Sequence, residues 1–158
     1  MQNEFVNCGP AIDRADIEKI ERDFGFQLPE PMKAHYLKWN GGMPTLDWFP
    51  MEDDWEPIWV HEFLPVGTQE NDKPTIQSVY AQVAGKAGYP HTFVPFAVDP
   101  GGNLFCIDTA TGVVHYWLAD VFDTTRTDSE NRQKADRALT RSFDRFVSAL
   151  VSEDDAFS

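Results

Sequence analysis

The fold is decided by residues 93–118, which read FVPFAV DPGGN LFCIDT ATG VVHYWL. The three longer runs are rich in apolar, aromatic and β-branched residues and are typical of strands. The two short segments between them favour turns, because their glycine, proline, asparagine and aspartate residues let the chain reverse. We therefore predict an antiparallel meander with strands at 93–98, 104–109 and 113–118. Pro95 should place its strand at an edge or in a bulge, since proline cannot donate to a ladder.

Two helices are predicted before this meander. The first begins at Asp13, whose side chain can cap it together with Asp16, and ends at Gly25, which enters the left-handed region without strain. The second begins around Pro29, because a missing N–H costs nothing in the first helical turn, and ends at the asparagine and glycines of residues 40–42. Apolar residues recur at helical spacing in both segments.

Two more helices are predicted from the same spacing of apolar residues. One covers about 74–87 and follows turn-forming residues at Asn71-Asp72. The other closes the chain at about 142–151, with Ser142 as its cap, and is followed by a solvated acidic tail. Three of the four predicted helices therefore precede the meander in the sequence, and one follows it.

The remaining segments complete the predicted fold class. Runs of aromatic and branched residues at 46–51 and 58–65 are typical of strands. The polar segment 123–141 has no firm period, and it is compatible with a mobile loop, a short helix or one more edge strand. We expect an α+β fold, a largely antiparallel sheet of about six strands with N-terminal, middle and C-terminal helices packed on it. Residues 1–158 should form one domain, with a core of about 12–151 and short flexible termini.

The composition indicates a folded protein from a reducing compartment. Hydrophobic residues make up 42% of the 158 residues and aromatic residues 13%, enough to form a core despite a net charge of −13. Cys8 and Cys106 give no disulfide framework, and Cys106 lies in an apolar run where it should be a small buried hydrophobe. The first ten residues lack the basic and apolar regions of a secretion signal, and no stretch is long enough to span a membrane. We therefore expect a cytoplasmic protein.

The acidic residues are concentrated in the middle of the chain. Residues 39–125 contain twelve acidic residues but only Lys73 and Lys86 as bases, whereas the flanking segments are nearly balanced. Such a field repels nucleic acid and anionic membranes and attracts a basic protein. The alternative is that the acidity only keeps the protein in solution. The charge therefore excludes direct nucleic-acid and membrane binding, and it favours a partner with a basic surface.

No group of residues in the sequence forms a recognisable catalytic or metal-binding motif. The four histidines are scattered without ligand spacing, and neither cysteine has a histidine near it in sequence. Asp99, Asp108 and His115 could meet at one end of the meander and hold a metal. Each lies beside a turn, however, where aspartate more often bonds the local backbone. We expect neither enzymatic activity nor a cofactor.

The best candidate contact is the polar loop of residues 52–56. It places a tryptophan, a residue enriched at binding hot spots, among four carboxylates that would complement a basic surface. The alternative is a solvated loop whose Trp55 folds back onto the sheet. Trp48, Phe49 and Trp59 are expected in the core or at its rim. The predicted partner-binding residues are Glu52, Asp53, Asp54, Trp55 and Glu56.

Three sequence motifs, occurring in this order, resemble those of one protein family. They are FxLPxxxKxxxLxxNGG at 26–42, then VPFA at 94–97 running through GNL at 102–104 to ID at 107–108, and SFDxF at 142–146. The chain resembles the SUKH superfamily, in the branch that includes a yeast cell-wall-synthesis regulator and many bacterial immunity proteins. The resemblance implies an antiparallel sheet of about six strands with helices packed on it. It also implies a protein that neutralises a toxin, typically a nuclease, by binding it, and it carries over no catalytic residues.

These observations predict an immunity-type protein that binds and neutralises a specific bacterial toxin. Its partner would be a toxin or effector protein with a basic surface. The first alternative is a regulatory or scaffold protein that binds partners of its own cell. The second, and weaker, alternative is a small-molecule or metal-dependent enzyme, which would require Asp99, Asp108 and His115 to converge in a polar pocket.

Overall fold

The predicted meander forms the centre of a five-stranded antiparallel sheet. The computed structural model of the protein describes residues 3–52, 54–67 and 73–158. The sheet has the strand order β5-β6-β7-β8-β9, and each neighbouring pair is antiparallel. Its strands are Glu62–Phe63 (β5), Phe93–Val98 (β6), Leu104–Asp108 (β7), Val114–Trp117 (β8) and Asp136–Thr140 (β9). The predicted α+β class is confirmed, with five strands in this sheet against the expected six or so.

Four short strands form two separate ribbons beside this sheet. In one, Phe5–Val6 (β1) pairs with Met43–Pro44 (β2), and in the other Trp48–Phe49 (β3) pairs with Ile58–Trp59 (β4). The predicted strands at 46–51 and 58–65 are therefore too long. The second is split because Val60 donates its N–H to Asp47, on the β3 side, while the next N–H, from residue 61, goes to the carbonyl of Val98 in β6.

Six helices flank the strands among the described residues. They are Arg14–Phe24 (α1), Glu30–Lys38 (α2), Ile76–Val83 (α3), Asp128–Ala135 (α4), Phe143–Ala149 (α5) and Glu153–Ala156 (α6). The predicted first helix is confirmed, with a capping box between Asp13 and Asp16 and a left-handed Gly25 at its end. Helix α3 is shorter than predicted: a capping box at Thr75 fixes its start, and bonds of the tighter i+3 type follow it. The predicted turn at Asn71-Asp72 lies outside the described residues.

The segment 123–141 contains both a helix and the edge strand β9. Helix α4 begins with a capping box between Thr127 and Glu130. Its surface is mostly exposed, which explains why the sequence shows no apolar period there. Buried Asn131 holds the preceding loop, because its amide accepts from the N–H of Asp123 and donates to the carbonyl of the same residue. Two of the three alternatives for this segment are thus realised in succession.

Strand β6 lies inside the sheet and carries a bulge. It pairs with β5 on one side and β7 on the other, and its register shifts between Pro95 and Ala97. The bulge accommodates a residue that has no N–H to donate. Of the two positions predicted for Pro95, the structure has the bulge and not the edge.

The core is built largely from aromatic rings. Phe63 and Phe96 from the sheet meet Phe143 and Phe146 from α5, with centroid separations of 5.1–6.3 Å. Phe5 is buried as well and packs edge-on against Phe63 at 4.9 Å. The core therefore begins before residue 12, where the sequence suggested its start. Cys106 is fully buried, as predicted.

Candidate partner-binding site

The β3–β4 ribbon carries the loop that contains Glu52, Asp54, Trp55 and Glu56. The register pairs Trp48 with Trp59 and Phe49 with Ile58, so the intervening residues connect the two strands. Phe49 is buried, and its ring stacks on Phe146 of α5 at 5.2 Å. This contact helps to fix the ribbon on the core, and the loop lies beyond it.

Four of the five predicted contact residues lie at the surface in this loop. Glu52, Asp54, Trp55 and Glu56 are all exposed, and the side chain of Trp55 is 60% accessible to solvent. Asp53 lies outside the described residues. A large, accessible indole among carboxylates has the composition of a protein-binding surface.

Trp55 also contacts the main sheet. The guanidinium carbon of Arg137, in edge strand β9, lies 3.8 Å from the centre of the Trp55 ring, a cation–π arrangement. The sequence left two alternatives for this residue, an exposed anchor or a ring folded back onto the sheet. The structure combines them, since Arg137 covers part of the indole and more than half of the residue stays accessible.

A small hollow lies behind the loop. It has a volume of about 260 Å³, and its wall joins the β3–β4 ribbon to the end of α4 and the strands β8 and β9. Arg137 and Trp55 both lie on this wall. Its lining includes Met51, Trp55, Ile58, Tyr116, Leu118 and Arg137.

The three residues considered for a metal do not converge. Asp99 lies in the β6–β7 turn, where its carboxylate accepts from the N–H groups of Gly101 and Asn103, each at 2.9 Å. Asp108 lies in the β7–β8 turn at the opposite end of β7, and it accepts from its own turn. The expectation that they could meet at one end is wrong, because successive hairpins of a meander reverse at opposite ends.

His115 has a different partner altogether. Its Nδ1 lies 2.6 Å from a carboxylate oxygen of Asp136 across the β8–β9 pair, and its ring packs on Phe93. Throughout the ranges 3–52, 54–67 and 73–158, no group of three or more histidine, cysteine or acidic side chains could hold a metal ion. The hydrogen bonds of Asp99, Asp108 and His115 within the protein account for their side-chain positions without a bound metal.

Burial raises the pKa of both cysteines and of Tyr116. Burial raises the pKa of the Cys106 thiol to about 12, and burial also raises the pKa of Cys8 above its usual value. A thiol attacks as the thiolate, so neither cysteine is activated as a nucleophile. The Tyr116 hydroxyl donates to the carboxylate of Asp99, and its pKa is raised first by burial and then by that bond.

His35 is the most strongly perturbed histidine. Its ring packs edge-on against Phe5 at 4.7 Å and Phe143 at 5.2 Å, and its Nε2 is buried without a hydrogen-bond partner. Burial, followed by the nearby charge of Lys38, lowers its pKa to about 4. His35 is therefore neutral at physiological pH and packs, partly buried, against rings of the aromatic core.

Sequence reasoning missed Arg137, and it left open which of Trp48, Phe49 and Trp59 lie in the core and which at its rim. Arg137 falls in the segment without a firm period, so no local signal connected it with residue 55. Trp59 is 40% exposed and Trp48 is half-buried, so they lie at the rim and only Phe49 is fully in the core. The alternation within the ribbon was the available signal, since neighbouring strand residues point to opposite faces.

Among the described residues, no helix is both long enough and apolar enough to cross a bilayer.

The chain is similar to the SPbeta prophage-derived uncharacterized protein YokK of Bacillus subtilis (strain 168), at 22% identity over 159 residues, covering 91% of this chain and 78% of YokK. The profile of the SMI1 / KNR4 family (SUKH-1) matches residues 11–148, nearly the whole chain. The protein therefore belongs to the SMI1 / KNR4 (SUKH-1) family, which is commonly associated with toxin immunity.

Proposed function

We propose that this chain is an immunity-type protein that binds one specific bacterial toxin in the cytoplasm and neutralises it. Membership of a family associated with toxin immunity supports the proposal. The observation that carries it is the exposed Trp55, presented among carboxylates on a loop that Phe49 and Arg137 tie to the rest of the fold. A loop anchored before binding loses little conformational entropy when it docks.

Binding would proceed without any chemical step. The acidic loop would approach a basic surface on the toxin, such as the phosphate-binding cleft of a nuclease, and long-range attraction would speed the encounter. The indole of Trp55 would then be buried at the centre of the contact. Occupying the basic cleft is sufficient for neutralisation, because the toxin's own substrate needs the same surface.

The two kinds of side chain contribute differently to affinity. Truncating a centrally buried aromatic anchor typically costs about 2–4 kcal/mol, which corresponds to a loss of roughly 30- to 1,000-fold in affinity. Removing one carboxylate at the rim changes mainly the association rate. The proposal therefore assigns affinity to Trp55, and it assigns encounter rate to the acidic residues around it.

The test uses the toxin encoded beside this gene, if one is present, with growth protection and calorimetric affinity as the two readouts. Changing the loop should abolish protection and weaken binding at least 100-fold. A matched variant alters three exposed acids and one exposed aromatic away from the loop, and it should stay within threefold of the parent. The loop variant is Glu52→Gln, Asp53→Asn, Asp54→Asn, Trp55→Ala, and the matched variant is Glu4→Gln, Glu18→Gln, Asp120→Asn, Phe122→Ala.

Two outcomes would contradict different parts of the proposal. Unchanged protection by the loop variant would remove the loop from the interface while leaving the immunity function in place. Failure of the parent protein to bind or protect against the neighbouring gene product, together with stable capture of proteins from its own cell, would favour the regulatory scaffold.

A further inference from the structure

A second aromatic surface lies on the outward face of the β3–β4 ribbon. The rings of Trp48 and Trp59 stack with an interplanar angle of 12° and a centroid separation of 6.0 Å. Phe157 meets Trp48 edge-on at 5.2 Å, and its side chain is 56% exposed. Of the five large hydrophobic residues that are exposed in the described part of the chain, Trp59 and Phe157 thus share one patch. We call Trp48, Trp59 and Phe157 the aromatic patch.

Specific backbone contacts build this patch. Trp48 and Val151 exchange two N–H···O bonds of 3.0 and 2.9 Å, which attach the segment after α5 to the edge of β3. Ser152 then caps α6 by accepting from the N–H of Asp155. The short helix carries Phe157 back over Trp48. The sequence suggested a solvated tail here, and the structure shows instead a helix packed on the ribbon.

The two segments that form the patch are acidic in composition. The two segments that form it, 46–61 and 146–158, contain eight acidic residues and neither a lysine nor an arginine. Asp47 accepts a 3.0 Å hydrogen bond from the indole Nε1 of Trp59, so one carboxylate adjoins the ring edge. Glu153, Asp154 and Asp155 of α6 are all exposed.

We infer that the aromatic patch, with Asp47 and the acids of α6, is a docking surface for an arginine-bearing segment of a partner protein. A guanidinium is planar and weakly hydrated, so it can stack on an indole face while its N–H groups pair with carboxylates. The same ribbon already shows this chemistry within the chain, since Arg137 lies 3.8 Å from the ring centre of Trp55. The surface offers the two things that arginine recognises, flat rings and carboxylates, side by side.

Charge complementarity decides against other occupants. Nucleic acid and anionic lipid are repelled by the eight carboxylates of these two segments, which contain no lysine or arginine of their own. A second copy of this chain would place two surfaces of the same sign against each other, which is unfavourable. This inference goes beyond the proposed function, because it concerns the chemistry of one surface and holds whether or not the partner is a toxin.

The test is a titration with two capped peptides, nine arginines and nine lysines, at 150 mM salt. Nuclear magnetic resonance would follow the indole N–H signals of the five tryptophans. The nona-arginine peptide should shift the signals of Trp48 and Trp59 and leave those of Trp39 and Trp117 in place. It should bind at least threefold more tightly than nona-lysine, because the ammonium lacks the planar face.

Matched variants separate the patch from general attraction. Trp59→Ala with Phe157→Ala should weaken arginine-peptide binding at least tenfold, whereas Phe122→Ala, which removes an exposed aromatic elsewhere, should change it less than twofold. A second pair leaves the aromatic packing intact. Asp154→Asn with Asp155→Asn should weaken binding more than Glu4→Gln with Glu18→Gln, although both remove two exposed charges.

Three results would overturn the inference: equal affinity for the two peptides, equal losses in the patch and control variants, or signal shifts confined to Trp55. Each would reduce the effect to unspecific attraction or move it to another site. The outcome is independent of toxin neutralisation. A chain that binds the arginine peptide through the patch but protects against no toxin would retain this inference and lose the proposed function.

Discussion

The short motif Asn40-Gly41-Gly42 is characteristic of this fold because of the contacts that its residues make. The buried amide of Asn40 donates to the carbonyls of Pro10 and Val66, and it accepts from the N–H of Val66, all within 2.8 Å. Both glycines have positive φ, and Gly42 exchanges two backbone bonds with Phe63 of β5. The three residues thus join the end of α2, the start of the chain and the sheet at one point.

Gly41→Ala is expected to destabilise the protein by about 3 kcal/mol or more. A Cβ at this position would lie 2.7 Å from the backbone nitrogen of Pro65, and the φ of +78° is strained for any residue with a Cβ. Gly85→Ala is the control, because a Cβ at that position would have no atom within 4 Å. Its effect on the unfolding free energy should be below about 1 kcal/mol. Urea unfolding followed by tryptophan fluorescence measures both, and equal effects would contradict the tight approach at Gly41.

Arg137→Lys should loosen the candidate loop although it keeps the positive charge. Lysine cannot present a planar face to the Trp55 ring, so the cation–π contact weakens by about 0.5–1 kcal/mol. Hydrogen exchange of residues 54–56 should therefore rise, while exchange in β7 should not change. Identical exchange in the loop of both proteins would show that Arg137 does not hold it.

His35 should make the protein less stable in acid. Its pKa in the folded state, about 4, lies below the ordinary value of 6.5, so between these values the unfolded chain takes up a proton that the folded chain refuses. Stability is therefore retained above pH 6.5 and lost as the pH falls toward 4. His35→Leu should reduce the difference in unfolding free energy between pH 7.5 and 4.5 by about 2 kcal/mol. The same difference in both proteins would refute this role for His35.

At the scale of elements, α1 and α2 are joined by a buried charge. Glu21 of α1 is only 5% exposed, and its carboxylate accepts a 2.7 Å bond from the N–H of Leu28, in the link between the helices. Lys33 of α2 lies 3.2 Å from the same oxygen. One side chain therefore fixes the link and the second helix together.

Glu21→Ala is expected to cost about 3 kcal/mol of unfolding free energy, because it leaves the N–H of Leu28 without its acceptor and leaves the Lys33 ammonium with the more distant, exposed carboxylate of Glu30, at 3.9 Å. Asp23→Ala in the same helix breaks an exposed pair with Lys19 and should cost less than about 1 kcal/mol. Chemical denaturation of the two variants provides the comparison. Similar losses of unfolding free energy in the two variants would mean that the buried contacts of Glu21 stabilise the protein no more than the exposed pair of Asp23 does.

At the scale of the whole molecule, part of the negative charge is concentrated around one element, the β3–β4 ribbon. The acidic loop and the acids of α6 are both attached to the β3–β4 ribbon, so charges far apart in sequence act on the same approaching partner. Attraction of this kind raises the association rate and is screened by salt within about 8 Å at physiological ionic strength.

The association rate with a cognate toxin should accordingly fall about tenfold when salt is raised from 20 to 500 mM. The dissociation rate should change less than threefold, because buried contacts of Trp55 control it. Stopped-flow fluorescence measures both rates. An association rate that does not respond to salt would contradict electrostatic steering, whatever the affinity.

Much of the local structure could be predicted from particular residues. The turns at 99–103 and 110–112 determined the meander, since proline and glycine restrict the backbone through their own geometry. Asp13, Gly25 and Ser142 marked helix ends through bonds to residues at most four positions away. The exposure of Glu52, Asp54, Trp55 and Glu56 was predicted in the same way, because the segment is rich in carboxylates.

The sequence by itself therefore determined the α+β class, the order of the central strands, the starts of α1, α2 and α5, and the acidic composition of the chain. These follow from short-range hydrogen bonding and side-chain periodicity. Only the tertiary structure decided that Arg137 covers Trp55, that Phe157 returns to Trp48, and that Asp99 and Asp108 lie at opposite ends of β7. Such contacts join residues far apart in the chain, and they depend on how the elements pack around the aromatic core, which no local pattern encodes.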